Sequence, residues 1–103
     1  MSDDPTLVPL YVDWNTNTGT DDDQEAYCIN FGVSNSRALE ERLKVGSKII
    51  MYDEELRLEG ILHRSGRNGQ WLGVPTPESM FVDLAPGEYD RLRAATKRAA
   101  GEA

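Results

Sequence analysis

Hydrophobic and polar positions alternate most cleanly between Gly46 and Val74 (GSKIIMYDEELRLEGILHRSGRNGQWLGV). Lys48–Tyr52 is apolar on both sides. Ile49 and Met51 face one way, Ile50 and Tyr52 the other, as in a strand covered on both faces. The polar pair Asp53-Glu54 predicts a turn. Beyond it Leu56, Leu58, Gly60 and Leu62 fall on one face and Arg57, Glu59, Ile61 and His63 on the other, the period of a strand with one face on the core. Gly60 stands where a fourth inward side chain is due, which predicts a bulge, a sharp bend or the close approach of another backbone. The turn Ser65-Gly66-Arg67-Asn68-Gly69 ends in Asn-Gly, a pair suited to positive φ. A third strand then returns over Trp71–Val74. Pro75 and Pro77, which cannot donate to a ladder, end it.

The same reading places the other elements. Leu7–Trp14 is a strand with Val8, Leu10, Val12 and Trp14 on one face and Leu7, Pro9, Tyr11 and Asp13 on the other; Pro9 marks an edge strand or a strand start. Asn15–Gln24 is a polar loop, and Glu25–Val33 is the next strand, with Tyr27, Ile29 and Phe31 toward the core. Joined by the loop, these two strands are expected to form an antiparallel hairpin. Ser34-Asn35-Ser36 supplies helix N-caps for Arg37–Lys44, where Leu39 and Leu43 share a face and Gly46 is the stop. Met80–Leu84 is a final short strand. Pro86 then opens a helix over residues 87–100, with Tyr89, Leu92, Ala95 or Thr96, and Ala99 as a thin apolar stripe. Met1–Thr6 reads as a disordered leader, and residues 7–103 as one small β-rich domain.

The fold class expected is α+β: a small, strongly bent antiparallel sheet or partly open barrel of five to six strands, with one short helix and a C-terminal helix. The run Gly46-x-x-Ile49-x-Met51-x-Asp53, a bent strand at Gly60 and a Trp71-bearing return strand together resemble small SH3-like barrels. The resemblance covers that middle stretch only and implies a fold, not an activity, because such barrels host many unrelated functions.

Composition narrows the function classes. The chain has 103 residues, enough for one core. No apolar run approaches the roughly 18–20 residues that span a membrane. A single cysteine, Cys28, forms no internal disulfide, and MSDDPT lacks the basic and apolar regions of a signal peptide, which points to a cytoplasmic setting. Formal net charge is −7, a balance that argues against broad nucleic-acid binding. Residues 1–36 hold seven acids and no Lys or Arg, while acids and bases balance from Arg37 onward. The acidic third therefore serves solubility or faces a partner.

Four constellations could carry chemistry. Asp13, Asn15, Asn17, Asp21, Asp23 and Glu25 approximate a calcium loop, but Gly19 and Glu25 each fall one position late and the flanks are strands. Cys28 and His63 would need to meet to form a nucleophilic dyad, and no nucleophile motif surrounds Cys28; a zinc site of nitrogen and sulfur ligands is short of donors. Gly66–Gly69 lacks the Gly-Lys-Ser/Thr ending of a phosphate loop. The best binding surface is an exposed Trp71 or Tyr52 beside Arg57, Arg64 and Arg67, with Trp71 half buried and Tyr11 or Tyr52 at the rim. No catalytic residue or cofactor is assigned. The reading is a non-catalytic protein-interaction module whose first strand, residues 7–14, offers an edge for pairing with another copy. The alternatives are a small-ligand or divalent-metal barrel using residues 13–25, and single-stranded nucleic-acid binding through sheet aromatics.

Overall fold

A computed structural model describes residues 7–19, 25–32, 35–67 and 69–101. The expected leader, Asp21, Asp23, Ser34 and Asn68 lie outside the described residues. The elements in chain order are β1 (Val8–Tyr11), a 3-10 turn (Trp14–Thr16), β2 (Asn17–Gly19), β3 (Glu25–Cys28), α1 (Arg37–Arg42), β4 (Lys48–Tyr52), β5 (Leu56–Arg64), β6 (Trp71–Pro75), β7 (Val82–Asp83) and α2 (Glu88–Ala99). The sheet runs in the order β1-β4-β5-β6-β3-β2, with β7 pairing β5 off that path. Its two ends, β1 and β2, do not pair among the described residues, so the sheet stays open. The architecture is α+β.

β4, β5 and β6 form the antiparallel centre read from the alternation, with Ile49 opposite Gly60 and Leu62 opposite Gly73. Three expectations are corrected. β1 does not form a hairpin with β3; it lies parallel to β4, with Leu10 opposite Met51. Parallel pairing needs a long crossover, and β2, β3 and α1 supply it. The hairpin partner of β3 is β2, a strand inside the stretch expected to be loop, with Asn17 opposite Tyr27. The final strand shrinks from Met80–Leu84 to two residues, paired with Leu56 and Arg57. Between β6 and β7, the Thr76–Ser79 loop completes that flank of β5: Thr76 N–H donates to Glu59 O (3.2 Å), and Ser79 Oγ accepts from Glu59 N–H (2.9 Å).

Each face of the sheet has its own cover. On one, Leu10, Val12, Tyr27, Ile29, Ile49, Met51, Leu58 and Leu62 are buried together with Leu39 of α1. On the other, Ile50 and Tyr52 are buried with Leu92 of α2. α1 starts where the sequence reading put it: Ser36 Oγ caps Ala38 N–H at 3.2 Å. The glycine pattern of the centre has a steric cause. A Cβ at Gly60 would stand 2.7 Å from both Met51 Cε and the backbone oxygen of Val74, the backbone approach expected there. A Cβ at Gly73 would overlap Met51 Sδ. Met51 thus fills the hollow that two glycines leave in adjacent strands, a use suited to its unbranched, adaptable side chain.

Among the described residues, the outer edge of β1 meets side chains rather than another strand. Asn35 Oδ1 accepts from Tyr11 N–H (2.7 Å), and its Nδ2 donates to Tyr11 O (2.9 Å), so one amide meets the backbone as a neighbouring peptide would. Two positions back, Pro9 has no N–H to offer, and Thr96 Oγ1 of α2 lies 2.8 Å from its carbonyl oxygen. The edge that invited pairing with another copy is therefore occupied at Pro9 and Tyr11. Replacing Asn35 by Ala should cost about 1–3 kcal/mol in all, because the stranded donor and acceptor of Tyr11 are only part-buried and water can reach them. It should also open the edge, since bare ladder groups recruit other chains. Urea melts read the first effect and sedimentation velocity the second; a variant as stable and as monodisperse as the parent would refute both.

Candidate functional site

The residues expected to form one binding surface are divided between the two ends of β5. Tyr52 pairs in register with Arg57, and Trp71 with Arg64. Seven residues of extended chain, about 23 Å, separate the two arginines. Trp71, expected half buried, is buried, and of Tyr11 and Tyr52 it is Tyr11 that takes the rim, so neither ring named for the surface is exposed. Tyr52 is 0% exposed and Trp71 9%. Tyr52 packs edge-on between Tyr11 (5.8 Å) and Tyr89 (6.0 Å), and its hydroxyl meets Thr96 Oγ1 at 3.2 Å. Trp71 packs against Phe31 (5.9 Å), and its indole N–H donates to Glu40 Oε2 at 2.9 Å. The Arg64 guanidinium lies 4.7 Å over the Trp71 ring, and its Nε donates to Gly69 O. Arg57 Nε stands 3.2 Å from Glu88 Oε2. Arg67 belongs to the turn, where its N–H donates to Ser65 Oγ. Arg64 and Trp71 thus hold each other in place while Arg57 is held by Glu88, and of Tyr11, Tyr52 and Trp71 it is Tyr11 that sits at the rim. Its hydroxyl bonds Glu54 Oε1 and Oε2, and that bond, with burial second, raises its pKa.

Of the acidic loop, Asp13 and Glu25 are tied into local structure. Asp13 Oδ1 accepts from Asn15 N–H at 2.9 Å, shaping the entry to the 3-10 turn. Glu25 Oε1 lies 3.4 Å from the Tyr27 hydroxyl. Asn17 is in β2. Among the described residues, no three of His, Cys, Asp and Glu gather as a metal site. Cys28 and His63 do share a face, but both are in register with Leu72, which stands between them. Two strand spacings, about 9–10 Å, keep them apart. Burial raises the Cys28 thiol pKa, which lowers its thiolate fraction at neutral pH.

The surface that the sequence reading missed lies between the β5 flank and the start of β7. Met80, Phe81 and Val82 are 77%, 48% and 44% exposed. Phe81 stacks edge-on against Trp14 (5.1 Å) and faces Tyr27 (6.5 Å), so its ring is anchored below and open above. A cavity of about 390 Å³ opens beside the run, with Leu58, Thr76, Ser79, Met80 and Val82 in its walls and Arg57, Glu59 and Glu78 around it. The signal in the sequence was three consecutive apolar residues ahead of Asp83. Alternation assigns such a run to a strand, but nothing local says whether a second layer covers it. Among the described residues, no helix is long and apolar enough to cross a membrane. Comparison with protein-family models, curated proteins and solved structures finds no match to this chain.

Proposed function

We propose that the chain is a non-catalytic protein-interaction module that engages its partner through Met80, Phe81 and Val82. The observation that carries this reading is the contiguous exposure of three large apolar side chains at the border of the sheet. Isolated apolar residues are ordinary on a surface; contiguous ones mark contact sites. The adjoining cavity is the size of one or two side chains, so the partner inserts an apolar anchor there while Phe81, braced by Trp14, forms the platform. Buried aromatic and aliphatic anchors of this kind carry most of the energy in small interfaces. The single free thiol, Cys28, fits a reducing cytoplasmic setting.

The test uses a photo-crosslinking amino acid at position 80 of the full chain in lysate of its native cell. Discrete adducts are expected, and they should vanish when Phe81→Ser and Val82→Ser are added. The same probe at exposed Val45 should not produce them. Adducts that persist in the double variant, or none from position 80, would end this reading. Sedimentation of the purified chain separates a second copy from a foreign partner.

A further inference from the structure

A second surface lies between the start of β1 and α2, where a groove of about 820 Å³ opens. Small-ligand sites occupy about 300–1,000 Å³ and combine an apolar lining with a few polar groups. The apolar part here includes Pro9, Ile50, Leu92 and Ala95. Three guanidiniums, Arg57, Arg91 and Arg98, line it with a single carboxylate, Glu88. That excess of positive charge lies on a chain whose net charge is −7.

The charges are unequally engaged. Arg57 is matched by Glu88 at 3.2 Å. Arg91 and Arg98 make no hydrogen bond or ion pair through their side chains among the described residues. They stand seven positions apart on one side of α2, about 10 Å along the axis, with Ala94 and Ala95 between them. Those small side chains leave the space that Leu or Lys would fill. Arg98 also serves the helix end, where a cation is favoured. Arg91, in the first turn of α2, where the dipole does not favour a cation, has no such role.

We propose that this groove binds an apolar molecule bearing one carboxylate. The body lies on Pro9, Ile50, Leu92 and Ala95, and the head is received by Arg91 and Arg98. Guanidinium forks match a carboxylate with two parallel hydrogen bonds. A neutral molecule would gain nothing from the two cations, which water already solvates, and a cationic one would be repelled. A phosphodiester chain would leave the apolar floor uncovered. The site uses none of Met80, Phe81 or Val82, so it stands or falls independently of the interaction reading.

The experiment is calorimetric titration of the full chain with dodecanoate below its micelle concentration, with dodecanol and dodecyltrimethylammonium as matched controls. One-site saturation by dodecanoate is expected, with the controls at least about tenfold weaker. Affinity should fall about tenfold for each arginine in Arg91→Gln and Arg98→Gln, the scale of one charge-assisted hydrogen bond. Both arginines are exposed, so these variants should keep the parent's circular dichroism. Ala95→Trp, which fills the groove, should abolish binding with Arg91 and Arg98 intact. Absence of saturable binding, equal binding of dodecanol, or an Arg91→Gln/Arg98→Gln double variant that binds like the parent would each overturn the assignment.

Discussion

Thr96→Val should lower stability by about 2–6 kcal/mol, although it exchanges side chains of nearly equal volume. Each buried polar group left without a partner costs about 1–3 kcal/mol, and this change leaves two. Thr96 Oγ1 lies 2.8 Å from Pro9 O, 2.9 Å from Leu92 O and 3.2 Å from the Tyr52 hydroxyl. A threonine hydroxyl has one proton, so it serves the two carbonyls while the Tyr52 O–H donates to it. Valine removes the donor for Pro9 and the acceptor for Tyr52 together. At about 4–8 °C per kcal/mol for a domain of this size, the loss should move the melting temperature by roughly 10–50 °C. Tyr52→Phe should cost about 1 kcal/mol, because Thr96 keeps its carbonyl partners. The double variant should cost less than the two singles combined, since phenylalanine no longer needs the acceptor that valine removed. Urea unfolding of all four proteins tests this; a Thr96→Val midpoint indistinguishable from the parent's would show that the hydroxyl does not tie α2 to β1.

The second expected result concerns Gly60 and Gly73, which look alike in sequence and should respond differently. Alanine at either site should cost about 1–3 kcal/mol through overpacking. At Gly73 the three atoms nearest the added methyl all belong to side chains, those of Met51 and Ile29 Cδ1. At Gly60 it meets Met51 Cε and also the backbone oxygen of Val74. Met51→Ala, itself costing about 2–5 kcal/mol, clears the side-chain obstacle and leaves the backbone one. In that background Gly73→Ala should become neutral or stabilising, while Gly60→Ala stays unfavourable. The readout is a pair of double-mutant cycles, with a coupling energy of about 1–3 kcal/mol for Met51 with Gly73 and a distinctly smaller one for Gly60. Equal couplings would contradict the described packing.

The β4-β5-β6 centre was legible because alternation and turn chemistry are local signals. Leu58, Gly60 and Leu62 against Arg57, Glu59 and His63 need no knowledge of the rest of the chain. Ser36 at the start of α1 and the Leu92 stripe of α2 were legible for the same reason. The pairing of β1 was not, because an edge strand beside β4 and one beside β3 present the same alternation. The choice is made by long-range partners: Asn35 for Tyr11 and Thr96 for Pro9. β2 was missed because Asn17-Thr18-Gly19 is polar and short, and its strand character comes from lying against β3. At the candidate site, residue type does not reveal exposure. Trp71 and Tyr52 have the chemistry of recognition, but each is consumed by partners far away in sequence, Glu40 and Thr96. The exposed apolar surface lies instead at Met80–Val82, and two solvent-facing arginines of α2 meet a floor built partly from β1.

The sheet's border at β1 is guarded by an amide, a hydroxyl and an imino acid, none of which gains or loses a proton in water. Borders fenced with lysine or glutamate weaken as salt rises or as pH approaches a carboxylate's titration range. This one should therefore keep copies of the chain from zipping together at high ionic strength and across the whole acidity range in which α2 stays docked. What it depends on is mechanical: detachment of the C-terminal helix removes Thr96, so fibrous assembly should begin where that helix first lifts.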